Sequence, residues 1–274
     1  ISDLLSLVAS LFLSIFWNPL FINAGLPIVF VDIQAAFATW PYGCFGRITG
    51  WVTAFITFER CLCVVWPLKV KRIITSKVII VVILSICLTM FFTMVPLYAT
   101  SPLGWISFPG NTTLLGSFIT SSTELSASVS YTTHAVIQLC CFFAVLVFTA
   151  GLTIRLRQKT RWRNKLTSTQ SSTSKSTQRE DKAIKMVTLI ATIYVVCYLP
   201  TITFLIGTVL HPGFNAKGDY KNVFFSAWSF VILCGVVNSS VNLFVYHHMS
   251  SKFRKTCDEV CGQFLPFINS IQTT

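Results

Sequence analysis

Six long apolar stretches, at about 1–22, 32–66, 75–99, 131–156, 183–209 and 222–247, alternate with polar connections along the chain. Each can cross the hydrocarbon core of a bilayer as a helix, which takes roughly 20 residues. They are too long and too uniformly apolar for barrel strands, and a spanning segment must satisfy its own backbone hydrogen bonds. The pattern therefore predicts an all-α integral membrane protein. Beyond the last stretch, 250–264 places Phe253, Cys257, Val260, Cys261 and Phe264 at helical spacing, with Lys252, Arg254, Lys255, Asp258 and Glu259 elsewhere on the surface. This reads as a short amphipathic helix lying along a membrane surface, with Cys257 and Cys261 turned to lipid as candidate palmitoylation sites. The expected division is a bundle over 1–249, the surface helix over 250–264 and a tail over 265–274.

Composition removes the soluble alternative. Hydrophobic residues make up 53% of the 274 and charged residues 11%, with a mean hydropathy of +0.69, whereas a soluble domain carries about a quarter charged residues. The net charge of +12 is concentrated. Lys and Arg number 0, 4, 0, 10, 2 and 3 in the five successive connections and the tail. Basic residues stay on the cytoplasmic side, which places the second and fourth connections and the C-terminus inside. The charge is thus a topology signal and implies no nucleic-acid partner. Asn111-Thr112-Thr113 is a glycosylation triplet in the third connection, which the same rule puts outside. By parity the chain starts on the inner side, and it opens without Met, with Asp3 already inside an apolar run. The expectation is a piece lacking an upstream helix, the intact protein having seven spans and an outside N-terminus. Eight of the ten cysteines lie in or at the ends of spans and read as apolar packers. The Ser/Thr-rich stretch 167–177 reads as a mobile linker.

Charges inside spans are costly and mark candidate sites. Here they are Asp3, Arg47, Glu59 and Arg60, with Glu180 and Asp181 at an inner border. Taken alone, Glu59-Arg60 is compatible with a snorkelling pair. Its setting, E-R-C-L-C-V-V-W-P-L over 59–68, resembles the D/E-R-Y-x-x-x-x-x-P-L signature that closes the third helix of rhodopsin-like (class A) G-protein-coupled receptors. The wording around it resembles invertebrate, molluscan-type chemosensory and peptide receptors. Further matches follow in order: ISDLL (1–5) resembles the second-helix S-D-L, and VCYLP (196–200) the sixth-helix C-W-x-P, with Tyr198 for Trp. NSSVNLFVY (238–246) resembles the seventh-helix N-S-x-x-N-P-x-x-Y, with Leu243 for Pro, and Phe253 and Arg254 match the family's surface helix. The resemblance covers residues 1 to about 264 and makes the spans helices two to seven of a seven-transmembrane bundle. It departs from the family at Ala35, where the third-helix cysteine would sit, and 100–130 holds no cysteine, so the outer loop is expected to be untethered.

The resemblance implies a plasma-membrane receptor, not an enzyme, that binds an extracellular small molecule or short peptide and activates a heterotrimeric G protein. Its activation switch would comprise Glu59, Arg60, Glu180, Tyr198, Pro200, Asn242 and Tyr246, with Arg60 held by Glu59 and Glu180 until ligand frees it. Asp3, Thr49, Asn238, Ser239 and Asn242 would hold a sodium ion as allosteric modulator, the competing reading being a protonated Asp3 hydrogen-bonded among helices. Tyr42, Phe45, Gly46, Arg47, His134, Tyr198 and Trp228 would line the ligand site. Tyr42 stands where amine receptors carry Asp, which disfavours a biogenic amine. Arg47 would bind an acidic ligand group, or else pair with a nearby carbonyl, Gln138 or His134. A transporter or channel is the rival class; it predicts Gly/Pro-broken repeats, a voltage-sensor ladder or a filter loop, and none is visible. A membrane enzyme would need a metal or nucleophile cluster, which His134, His211, His247 and His248 do not form.

Overall fold

The computed structural model describes residues 1–66, 70, 72–108, 112–118, 121–166, 175–211, 213–215, 218–251, 253–259 and 262, with 108, 121–127, 159–166 and 175–181 described by their backbone alone. In chain order the helices are α1 (Ser2–Phe16), α2 (Pro19–Ile22), α3 (Phe30–Gln34), a π-helical turn (Ala35–Thr39), α4 (Trp40–Val65), α5 (Ser76–Thr100), α6 (Ser121–Leu166), α7 (Lys175–Leu210) and α8 (Lys221–Met249). Strands β1 (Leu103–Phe108) and β2 (Thr112–Ser117) lie between α5 and α6. A short C-terminal helix runs through 253–259.

Five helical stretches are long and apolar enough to cross a membrane, and Ser2–Phe16 is a shorter apolar helix. The stretch read as one span over 1–22 is therefore broken. Asn18 accepts a hydrogen bond from Leu20 N–H (2.9 Å) and Pro19 sits at the first turn of α2, a start signal strong enough to interrupt an apolar run. In contrast, α6 and α7 continue past the apolar stretches at 131–156 and 183–209, because polar helix formers extend a helix after the membrane ends. Of the expected linker, 167–174 lies outside the described residues, and Lys175–Thr177 already belongs to α7.

The helix α4 is the hub, packed against α1, α5, α6 and α7, while α8 closes the bundle against α1 and α7. Most side chains on the outer faces are apolar and exposed, as on Leu84, Leu88, Phe92 and Val95 of α5, which is what a lipid surround selects. Threonines on the inner faces satisfy themselves locally. Along α4, Thr57 donates to Thr53 O (2.7 Å) and Thr53 to Thr49 O (2.8 Å); along α6, Thr149 donates to Val145 O (2.6 Å). The π-helical turn has a local cause. Pro41 has no N–H to offer the carbonyls a turn behind it, and Tyr98 of α5 donates to the Ala36 carbonyl at 2.7 Å instead.

At the end of the bundle opposite Arg60, β1 and β2 form an antiparallel hairpin with Leu103 facing Ser117 and Phe108 facing Thr112. The expectation of an untethered loop is corrected here. Val29 N–H donates to Leu115 O and Leu115 N–H to Pro27 O, both at 2.8 Å, and Asp32 of α3 accepts from Ser117 N–H at 2.8 Å. Gly116 allows this approach, since a methyl group there would come within 2.8 Å of Val29 Cγ2. Hydrogen bonds do the anchoring that a disulfide does elsewhere. Asn111 lies outside the described residues.

Candidate functional site

Three levels of polar residues line the inner faces of the bundle. At the first, Asp3 of α1 faces α8, where Asn242 Nδ2 donates to Asp3 Oδ2 at 3.1 Å. The Thr49 and Ser239 hydroxyls lie against the same carboxylate, and Thr49 Oγ1 also donates to Ser2 Oγ at 2.8 Å. Asn238 is wholly buried and Thr49, Ser239 and Asn242 are nearly so. Asp3 Oδ1, Asn238 Oδ1 and Asn242 Oδ1 are buried without a hydrogen-bond partner. Of the five residues named from the sequence, Asp3, Thr49, Ser239 and Asn242 come together and Ser2 joins them, while Asn238, beside Ser239 on α8, is buried with both amide atoms unpartnered. Buried oxygens lacking donors, on the Asp3 carboxylate and the Asn242 amide, with two hydroxyls beside them, are the chemistry of a hard-cation site. The residues fit sodium.

At the second level, tyrosines of one helix lie over glycines of another. Tyr198 Oη donates to Gly46 O at 3.4 Å, and a methyl group on Gly46 would meet that hydroxyl at 3.0 Å. One turn further, a methyl on Gly50 would overlap Tyr194 Oη and come within 2.9 Å of Cys141 Sγ. Tyr42 of α4 repeats the motif in the other direction, its Oη lying over Gly235 of α8 and donating to Ile232 O at 3.2 Å. Tyr194 and Tyr198 stack on each other at 4.3 Å, and Tyr194 Oη receives Gln138 Nε2 at 3.4 Å. Glycine lets the α4 backbone approach the tyrosine-bearing helix closely, as small residues do between membrane helices.

Arg47 belongs to this level. It projects along α4 over Gly43, where a methyl group would meet Arg47 Nη1 at 3.3 Å. It is close enough to Tyr198 and His134 to act on them electrostatically. Of the expected lining set, Tyr42, Gly46, Arg47, His134 and Tyr198 converge here. Phe45 does not: it turns to α5, with its ring 6.3 Å from Phe91. Trp228 joins a separate aromatic group with Phe204, Phe214 and Phe224 between α7 and α8. Pro200, inside α7, lines an apolar groove of about 850 Å³ on the outside of that helix pair, with Phe204, His211, Tyr220 and Phe230. Tyr194, Gln138, Cys141, Gly50 and Gly235 were not in the expected set. The matched spacing of Gly46/Gly50 and Tyr194/Tyr198, four apart in each helix, is the signal that points to them.

The third level is the far end of α4. Arg60 pairs with Glu59 at 3.7 Å, and its Nε is buried without a partner among the described residues. Around it Cys61 Sγ donates to Phe148 O of α6 at 3.2 Å, and Ile56, Cys61 and Val64 pack on Leu152 of α6 with Ile184 and Val187 of α7. Glu180 lies on α7 four residues before Ile184, and its side chain is outside the described residues. Tyr246 of α8 rests on Phe253 of the C-terminal helix, with ring centroids 5.8 Å apart. Arg254 caps α8, its Nε and Nη2 donating to the carbonyls of His247 (3.4 Å) and His248 (3.3 Å). Cys257 is half-buried and Cys261 lies outside the described residues.

No curated protein matches the chain. The sequence profile of the 7 transmembrane receptor (rhodopsin family) matches residues 1–246, which takes in Asp3, Arg47, Arg60 and all but the last three residues of the long helices. The chain is a multi-pass membrane protein and belongs to the 7 transmembrane receptor (rhodopsin family), a family of receptors and not of enzymes.

Proposed function

We propose that this chain is a plasma-membrane receptor, with its C-terminus in the cytoplasm, that binds an extracellular small molecule or short peptide and activates a heterotrimeric G protein. The observation that carries this reading is the setting of Arg60. Its guanidinium is only part-exposed where α4, α6 and α7 pack together, and its Nε has no partner among the described residues. A cation left incompletely paired at a helix crossing suits a two-state contact, since the gap between states is set by a few weak bonds. Glu59 is one such bond, and Glu180, one turn from the apolar contact of α7, is proposed as the other.

The tyrosine–glycine contacts couple the ligand level to this end. Tyr194 and Tyr198 fix how closely α7 approaches α4, Tyr194 by its hydroxyl lying over Gly50 and Tyr198 by donating to Gly46 O at 3.4 Å, which is long for a hydroxyl donor. A ligand that displaces Tyr198 from Gly46 would loosen α7 along its length and separate Ile184 and Glu180 from Arg60. At the Asp3 level, a sodium ion would be held by Asp3, Thr49, Asn238, Ser239 and Asn242. When bound it supplies positive charge that ties α1, α4 and α8 together. Asp3 and Asn242 already join α1 to α8, a contact worth about 0.6 kcal/mol by the usual strength of such bonds between membrane helices.

Nucleotide exchange on purified G protein tests the reading. Glu180→Gln, at equal surface expression, should raise exchange without ligand, because an ion pair at the border of the bundle contributes about 1 kcal/mol or less and its loss shifts a poised equilibrium severalfold. Unchanged basal exchange would remove the proposed lock.

A further inference from the structure

Arg47 is a permanent cation set among helices, and no described carboxylate forms an ion pair with it. Its Nε is buried without a hydrogen-bond partner. His134 of α6 is 7% exposed, and neither ring nitrogen has a partner of ordinary geometry, although the Thr93 backbone lies beside it. Two nitrogen-bearing side chains on facing helices are therefore left with unused capacity within electrostatic range of each other. Gln138, one turn along α6 from His134, is also buried and spends its amide N–H on Tyr194. Gly43 and Gly46 keep the surrounding α4 surface low. Arg47 already reaches over Gly43, toward the end of the bundle that carries the hairpin.

Membrane interiors select against such a group unless it is used, and a planar guanidinium matches a carboxylate through two parallel hydrogen bonds. We propose that Arg47 and His134 form the recognition subsite for a carboxylate on the ligand, Arg47 pairing with both oxygens and His134 donating a further hydrogen bond. The proposal rests on the receptor reading above and narrows its ligand to acidic molecules. It also assigns the direction of coupling. A carboxylate drawn to Arg47 arrives beside the Tyr198 hydroxyl and competes for it with the Gly46 carbonyl, which is the contact that holds α7 to α4.

The test uses the whole receptor in lipid nanodiscs, with acetate, hexanoate and benzoate as probes and the matching amides as controls, read by thermal unfolding. At least one acid should raise the unfolding midpoint and its amide should not. Arg47→Gln should weaken that acid about 10–100-fold, the range for a charge-assisted bond, and His134→Ala should weaken it less. Arg47→Gln should also raise the midpoint of the ligand-free protein, because an uncompensated buried charge is removed. A lower ligand-free midpoint would make Arg47 a structural residue and overturn the proposal. Equal shifts by acids and amides, or no shift by any acid, would overturn it as well. Nucleotide exchange, measured in parallel, separates the two levels: an acid that binds through Arg47 but leaves exchange unchanged defeats the signalling reading and leaves the subsite standing.

Discussion

Gly50→Ala isolates the contact between α4 and α7 in a single methyl group. A Cβ at Gly50 overlaps Tyr194 Oη, lies 2.9 Å from Cys141 Sγ and 3.1 Å from Tyr194 Cζ. Tyr194 is 1% exposed and stacked on Tyr198, and Cys141 is wholly buried, so neither side chain has an empty space to enter. Overpacking of this kind costs about 1–3 kcal/mol. Tyr194→Phe alone should cost only about 0.5–1 kcal/mol, because the hydrogen bonds it loses are long. Combined, the two changes should be less damaging than their sum: removing the hydroxyl relieves the worst overlap and leaves the contacts with Cζ and Sγ. A coupling of about 1 kcal/mol is expected, within the range for side chains in contact. Equilibrium unfolding of the four proteins in one detergent measures it, and basal nucleotide exchange should rise in Gly50→Ala as α7 is pushed from α4. Strict additivity, or a single Gly50→Ala as stable as the parent, would refute the tyrosine-over-glycine account.

The anchor of the hairpin and the polar cluster give two more tests. Asp32→Ala removes the acceptor for Ser117 N–H and should speed hydrogen exchange at Ser117 about fivefold, equivalent to roughly 1 kcal/mol; unchanged exchange would mean that the Leu115 bonds suffice. Replacing choline with sodium should stabilise the receptor by about 1.4 kcal/mol at tenfold excess over the dissociation constant, and Asp3→Asn should abolish the effect. Equal stability in the two salts would favour a protonated Asp3 bonded only to its neighbours.

What the residue pattern conveys, and where it stops, follows from the range of each interaction. The long helices are legible because lipid-facing residues such as Leu88 and Phe92 must be apolar whatever the bundle does inside. The break at Asn18-Pro19 carries a local cap signal that a hydropathy window averages away. The grouping of Asp3 with Ser239 and Asn242 is readable only through family resemblance, since more than two hundred residues separate them. The hairpin is the opposite case. Leu103–Phe108 and Thr112–Ser117 are short, and their anchor, Asp32, acts across 85 positions with no local mark. Phe45 shows the limit of assigning a lining from neighbours: it is adjacent to Gly46, yet a 100° step around the helix turns it to α5. The partners of Arg47 were left open by the sequence because burial and unused donors are properties of the folded bundle.

The central claim is that α7 separates from α4 at the Arg60 end when the receptor engages its G protein. Spin labels on Val65→Cys of α4 and Lys182→Cys of α7, both exposed positions, measure that separation in a background where reactive native cysteines are replaced. Addition of nucleotide-free G protein should shift the distance distribution to longer values, and Glu180→Gln should populate the longer distance before any G protein is added. A distribution that stays the same under both conditions would contradict the account.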